Sequence, residues 1–439
     1  MNYFNASIVA FHFKTPMLKA YIPLVFHLSS LLRTFKAVSP LTVIKFLFFF
    51  AFITVSTFQF AKAEERLESS FKQSTELKPS KFMALGVSSK GNVQKKTTLP
   101  SLKEMVGQML MLGFQGVKPT DKGSKHVHKL LKSGQIGGLI FMGRNMSSKS
   151  QITKLVSYMK KATPSHLPPL LAIDQEGGQV QRLKEKHGFT TIPTASSIAL
   201  ANDQISALQT YQTLAEELAN AGFNVNFGPV VDLNIVPENP IIGARERSYG
   251  PKPDIVETYS NAFILAHRQH NILTSLKHFP GHGSSWTDSH EQFVDLSKSW
   301  KQVELAPYRN MVKADMVDMV MVGHLYHPSF SDKDKLPASL SEKAIKGVLR
   351  RDIGYQGLVI TDDLGMGAIK KYFEFDDALL KSVKAGNDIL LIVDDKYANP
   401  AAITRIQNLI VKAVKQGEIK RSSIEASYKR IMTAKQKLK

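Results

Sequence analysis

Gly357-Leu358-Val359-Ile360-Thr361-Asp362-Asp363-Leu364-Gly365-Met366 is an apolar run of strand length that stops on two adjacent carboxylates. Because its apolar positions are consecutive rather than alternating, both faces are buried, as in a parallel sheet covered by helices. Seven further runs of this kind lie outward from it: Gln108 to Phe114, Gly138 to Met142, Pro169 to Asp174, Phe223 to Phe227, Ile272 to Lys277, Asp318 to Gly323 and Asp388 to Val393. Between them the period lengthens to that of helices, with candidates at Gln204 to Ala221, Asp254 to His270, Ser341 to Asp352 and Pro400 to Gln416. Eight strand-helix units predict the α/β class and a single (β/α)8 TIM barrel. A doubly wound open sheet is the alternative, and it is disfavoured because no Gly-x-Gly-x-x-Gly phosphate loop follows the first run.

Such a barrel carries its chemistry on the loops that follow the carboxyl ends of its strands. Polar residues collect at those positions: Asp174, Asp232, Lys277 with His278, His324, and Asp362 with Asp363. An unpaired buried carboxylate is costly, so the two that end the seventh run call for a function. Asp362, inside the strand end, is read as a nucleophile that can form a covalent glycosyl-enzyme, and Asp363 as a helix N-cap.

The fifth run leads into Lys277-His278-Phe279-Pro280-Gly281-His282-Gly283 and then Asp288-Ser289-His290. Three histidines, a lysine and an aspartate within fourteen positions exceed the scattered histidines of an ordinary surface loop. Asp288 stands two residues from His290 and can orient it, which makes the pair an acid/base dyad able to give and take a proton. After the third run comes Asp174-Gln175-Glu176-Gly177-Gly178-Gln179-Val180-Gln181-Arg182, where Asp174 can accept two sugar hydroxyls and Arg182 can reach back to it. Arg245 and Arg247, in Arg245-Glu246-Arg247-Ser248-Tyr249-Gly250, could bind a hydroxyl or acetamido oxygen or pair with acidic neighbours.

Asp174-Gln175-Glu176-Gly177-Gly178 with Arg182, Arg247-Ser248-Tyr249-Gly250, Lys277 to Gly283 with Asp288-Ser289-His290, and Thr361-Asp362-Asp363-Leu364 together resemble the β-N-acetylglucosaminidases of glycoside hydrolase family 3. That group includes peptidoglycan-recycling enzymes, and the similarity runs from about Leu102 to the C-terminus. The histidine loop resembles this branch rather than the β-glucosidases of the family. The resemblance implies Asp362 as nucleophile, His290 as acid/base and Asp288 as its partner. It implies Asp174, Arg182, Arg247, Lys277 and His278 as contacts to a terminal N-acetylated sugar, with no cofactor and no metal. Gly365 departs from the family, which more often has Ser after Asp-Asp-Leu.

The expected activity is therefore a retaining β-N-acetylhexosaminidase acting on terminal N-acetylglucosamine of peptidoglycan fragments or chito-oligosaccharides. Three alternatives stand beside it: a metal-dependent hydrolase using His278, His282, His290, His324 and Asp288, a non-catalytic wall-sugar-binding protein, and a phosphorylase, since a histidine acid/base does not repel phosphate.

The 439 residues carry 57 Lys and Arg against 37 Asp and Glu and contain no cysteine, so no disulfide framework or thiolate chemistry is available. Six basic residues and no acidic one lie in the first 63 positions. There Lys45 precedes the apolar run Phe46 to Val55, and Ala61-Lys62-Ala63 has the form of a cleavage site. The expected organisation is a signal peptide or membrane segment at 1–63, a flexible linker at 64–101 and a catalytic domain at 102–439. A periplasmic or secreted location follows, or alternatively anchoring to the inner membrane by residues 41–60. The expected partner is a glycan containing N-acetylglucosamine. No nucleic-acid module accompanies the basic run from Lys420 to Lys439, and a monomer is expected.

Overall fold

A computed structural model describes residues 99–164, 167–333 and 335–438. The leader at 1–63, the linker up to residue 98 and the 41–60 segment lie outside the described residues. Among the described residues no helix is long and apolar enough to cross a membrane.

The barrel strands are β1 (Leu110–Leu112), β2 (Gly138–Phe141), β3 (Leu170–Ile173), β4 (Val225–Asn226), β5 (Leu273–Phe279), β6 (Met319–Val322), β7 (Leu358–Thr361) and β8 (Leu390–Ile392). Each pairs in parallel with its sequence neighbour, and β8 returns to β1 through Leu110↔Leu390. The last seam is a single bridge, Ile360↔Ile389, backed by the Thr361 N–H donating to the Ile389 carbonyl at 3.1 Å, so the barrel is nearly closed. All eight strands are buried along their length, which explains why the sequence shows runs rather than alternation.

The longer helices are α1 (Leu102–Gln108), α2 (Lys122–Lys132), α3 (Lys149–Lys160), α4 (Gln204–Ala221), α5 (Pro253–Arg268), α6 (Ala306–Lys313), α7 (Lys343–Asp352), α8 (Phe375–Ala385), α9 (Pro400–Lys415) and α10 (Arg421–Gln436). From α2 to α9, one follows each strand. Helix α1 opens on a reciprocal cap, with Glu104 N–H donating to Ser101 Oγ at 3.3 Å and Ser101 N–H to Glu104 at 2.8 Å. Helix α7 starts two residues later than the Ser341 read from the periodicity and is wound as a π-helix. Its first amide is held by the Asp332 carboxylate at 3.1 Å, an acceptor distant enough in sequence to escape a periodicity reading.

Stability and chemistry occupy opposite ends of this barrel. At the amino-terminal face, buried Asp388 takes hydrogen bonds from Arg350 (2.8 Å), Ser427 (2.7 Å) and the Val359 amide (2.9 Å), joining α7, α10 and β7. Buried Lys435 donates to Gln108 and to the Gly137 carbonyl, and burial pushes its ammonium down to about 7. The strand-end residues singled out in the sequence all gather at the other face.

Candidate active site

Past β3, the chain turns into a short antiparallel ribbon, Gln175–Gly177 against Val180–Gln181. The buried Gln175 side chain accepts from the Arg182 and Leu183 amides at 2.7 and 3.0 Å and folds the segment back on itself. Gly177 lies at φ 108°, and a Cβ there would meet the Pro193 carbonyl at 2.4 Å, so only glycine fits. This fold brings Arg182 to 3.6 Å from Asp174.

Lys277, from β5, reaches Asp174 at 3.0 Å and Glu176 at 2.6 Å. Arg247 clasps Glu176 with two parallel bonds of 2.8 Å and spends its third donor on the Ile241 carbonyl. Burial raises the Glu176 carboxyl, but Arg247 and Lys277 outweigh it and hold the group well below the carboxylate range. Glu176 is thus the keystone of the cluster. Its local sequence context, Gln175-Glu176-Gly177, assigns it no role. The available signal was charge balance, because Asp174 alone cannot neutralise Lys277, Arg247 and Arg182.

Asp232 plays a similar part below His278. It accepts from the imidazole Nδ1–H at 2.7 Å and from the His278 and His282 amides at 3.0 and 2.8 Å. Burial pushes Asp232 up, and the two imidazoles pull it back below its ordinary value. With Nδ1 committed, His278 offers Nε2 to the cavity it lines.

The loop from Pro280 to His290 arches over the barrel mouth. Asp288 accepts from both the amide and the imidazole Nδ1–H of His290, at 2.8 and 2.7 Å, which turns Nε2 outward on a ring that is 57% exposed. Burial raises Asp288, but the His290 amide and ring outweigh it and keep it ionised. His282 bonds Ser289 at 3.0 Å and ties the arch internally.

Asp362 ends β7, its amide held by the Val322 carbonyl at 3.0 Å and its Oδ1 accepting from the Asp363 amide at 2.8 Å. Burial raises it, yet His324, His278, His290 and the Asp363 amide bring it down to about 2. Asp363 is not the helix N-cap expected from the sequence. Met366 holds that position, ahead of a short helix at Gly367–Lys370, while Asp363 accepts from the Gly365 and Val393 amides at 3.0 and 2.9 Å and ties β7 to the end of β8. Burial pushes Asp363 up to about 6. His324 is buried, bonded to Ser339 at 2.7 Å and to the Asp363 carbonyl at 2.8 Å.

The loops after β5 and β7 are stitched together. Gly367 N–H donates to the His290 carbonyl at 2.9 Å and Ala368 N–H to the Ser289 carbonyl at 3.1 Å. A Cβ on Gly367 would fall 2.4 Å from the Glu291 carbonyl oxygen. Gly367→Ala is accordingly expected to destabilise the protein by about 1–3 kcal/mol through overpacking, read as a lowered denaturant midpoint with unchanged slope.

One cavity of about 420 Å³ is lined by all eight residues expected at the site: Asp174, Arg182, Arg247, Lys277, His278, Asp288, His290 and Asp362. Glu176 and Arg245 join them. The five groups considered as a metal shell do not come together as one, and no three His, Asp or Glu side chains converge as ligands among the described residues.

Residues 101–434 match the model of the glycosyl hydrolase family 3 N terminal domain. The chain is 30% identical to Beta-hexosaminidase A of Pseudoalteromonas piscicida over 367 residues, covering 76% of this chain and 61% of that protein. It is 31% identical to a Beta-hexosaminidase of Tolumonas auensis, covering 68% and 86%. Among solved structures, a family 3 β-N-acetylglucosaminidase from Paenibacillus sp. str. FPU-7 superposes with a TM-score of 0.70 at 33% identity, covering 77% of this chain and 63% of that one. The chain thus spans less than two thirds of the length of two of these relatives. Barrel, strand-end residues and a family match that spans the loops after β5 and β7 agree: the chain belongs to glycosyl hydrolase family 3.

Proposed function

We propose that this protein is a retaining β-N-acetylhexosaminidase that removes terminal N-acetylglucosamine from wall fragments or chito-oligosaccharides outside the cytoplasm. The observation that carries the reading is the opening of Asp362 and the Asp288–His290 pair into one cavity, on two loops joined by backbone hydrogen bonds.

In this reading Asp174, Arg182, Lys277 and His278 hold the terminal sugar, with Arg247 at the same wall, and its anomeric carbon sits over Asp362. The Asp362 carboxylate, ionised at any pH above about 2, attacks that carbon. As the glycosidic bond breaks, His290 Nε2–H gives its proton to the departing oxygen, and Asp288 stabilises the ring through Nδ1–H. The neutral Nε2 then takes a proton from water as its oxygen displaces Asp362. Two inversions return the original β configuration. The N-acetylated sugar rests on the named relatives, and export on the leader-like segment ahead of residue 64.

The acid role of His290 is tested by leaving-group dependence. His290→Ala is expected to lose about 10²–10⁴-fold in kcat/KM on an unactivated chitobioside and far less on a nitrophenyl N-acetylglucosaminide, whose aglycone departs without protonation. Equal losses on both substrates would remove His290 from that role.

A further inference from the structure

Glu304 has no part in the chemistry above, yet it is buried beneath the loop that carries His290. It lies in the turn Gln302–Leu305 that leads into α6. One carboxyl oxygen has an ordinary local task, accepting from the Lys301 amide at 3.1 Å and capping the turn. The other points under the arch. A Cβ built on Gly281 would stand 2.9 Å from Oε2 and 2.7 Å from Glu304 Cβ, so the side chain packs against a position where a larger residue would clash with it. Ser284 presents its hydroxyl and amide to the same carboxyl, while neither Glu304 Oε2 nor Ser284 Oγ closes a hydrogen bond of normal geometry with any group. A buried acceptor left open in this way is a strong penalty for a carboxylate and a mild one for a carboxylic acid.

We propose that Glu304 is a positioning residue for the acid/base loop: in its protonated form it seats residues 280–290 on the barrel so that His290 meets the leaving group, and ionisation unseats them. The proposal rests on the reading of His290 as the acid.

The charges around the site support it. Burial pushes Glu304 up to about 7, against the Ser284 hydroxyl and Lys301 amide and with help from the Asp232 carboxylate, which lies beyond β4. Three neighbours keep their charge near pH 7. Tyr308, one turn further along, is raised well above 10 by its burial, and His282 in the arch is pushed down to about 4 by its own. Asp232 stays ionised, held below its ordinary value despite burial by His278 and His282. Above neutrality a second buried anion therefore appears beside Asp232, and the cheapest relief is for the arch to lift and admit water.

The chain's two tryptophans report on this arch without reference to catalysis. Trp286 lies within it and is 65% exposed, and the Trp300 indole N–H donates to the Pro280 carbonyl at 3.2 Å. In the unmodified full-length protein, intrinsic fluorescence is expected to titrate with a midpoint near 7, together with the alkaline limb of kcat on an unactivated glycoside. Glu304→Gln, which keeps the shape and cannot ionise, is expected to abolish the fluorescence transition and move the alkaline limb up by about one pH unit or more. Absence of any fluorescence transition between about pH 5 and 9 in the unmodified protein overturns the proposal, and this needs no variant to fold. A transition and limb unchanged in Glu304→Gln also overturn it and assign both to another group. If Glu304→Gln abolishes the fluorescence transition while the activity profile stays unchanged, the arch moves without displacing the acid. That outcome overturns the positioning role alone, and the leaving-group test on His290 decides separately whether the reading beneath it stands.

Discussion

Asp362→Asn is expected to lose turnover on the order of 10⁴-fold or more on activated and unactivated N-acetylglucosaminides alike, because the bond to the anomeric carbon can no longer form. The fold should survive. Asparagine keeps the Oδ1 that accepts from the Asp363 amide, and the Val322 carbonyl still holds the main chain. The adjacent carboxyl cannot substitute. Asp363 spends its Oδ1 on the Gly365 and Val393 amides, which tie it to the end of β8. A fluorinated N-acetylglucosaminide with a good leaving group should therefore leave its sugar mass on the peptide containing Asp362 and leave no label on the Asn variant. Label on Asp363, or turnover retained within tenfold, would overturn the assignment. Because Asp362 stays ionised down to about pH 2, any acid limb near pH 5 or 6 belongs to another group, with Asp363 the adjacent candidate.

The parts of this site that were legible in the sequence are those fixed by strand ends. A buried parallel strand must release its chain at the barrel mouth, so Asp174, Lys277 and Asp362 could be placed from the apolar runs alone. The Asp288–His290 pair was legible for another reason, since two residues of spacing suffice for a carboxylate to accept from both the amide and the ring. What escaped was whatever depends on partners far apart in sequence. Glu176 matters because Arg247 is 71 residues away and meets it in space. Asp232 was recognised as a strand-end residue, but its role as the acceptor beneath His278 depends on a loop 46 residues on. Asp363 was misread because local pattern offers a helix to cap, whereas the folded barrel offers it the Val393 amide of the next strand. The same holds for the π-wound α7, whose start is set by Asp332 rather than by its own periodicity.

Glu176 is also where the second large effect is expected. Its carboxylate sits between Lys277 and Arg247, with side-chain exposures of 8%, 3% and 7%. Truncation to Ala leaves the Arg247 fork unpaired in a site with little water, and breaking a buried pair in this way costs about 3–5 kcal/mol. A lower denaturant midpoint with unchanged slope would report that loss directly. Glu176→Gln separates charge from shape. It preserves an acceptor for Arg247 but removes the negative charge, so Lys277 has only Asp174 left as a counter-ion and draws on the lone pairs Asp174 would offer to sugar hydroxyls. A raised KM with a smaller change in kcat is the expected signature. The pH dependence has a definite sign. The folded-state carboxyl of Glu176 lies below its ordinary value of 4.5, held there against burial by Arg247 and Lys277, so its stabilisation is fully present above that value and is lost as pH falls below it. The stability gap between the unmodified protein and Glu176→Gln should accordingly be constant through neutrality and narrow below about pH 4.5. A gap that persists unchanged into acid would mean that shape, not charge, is what Glu176 contributes.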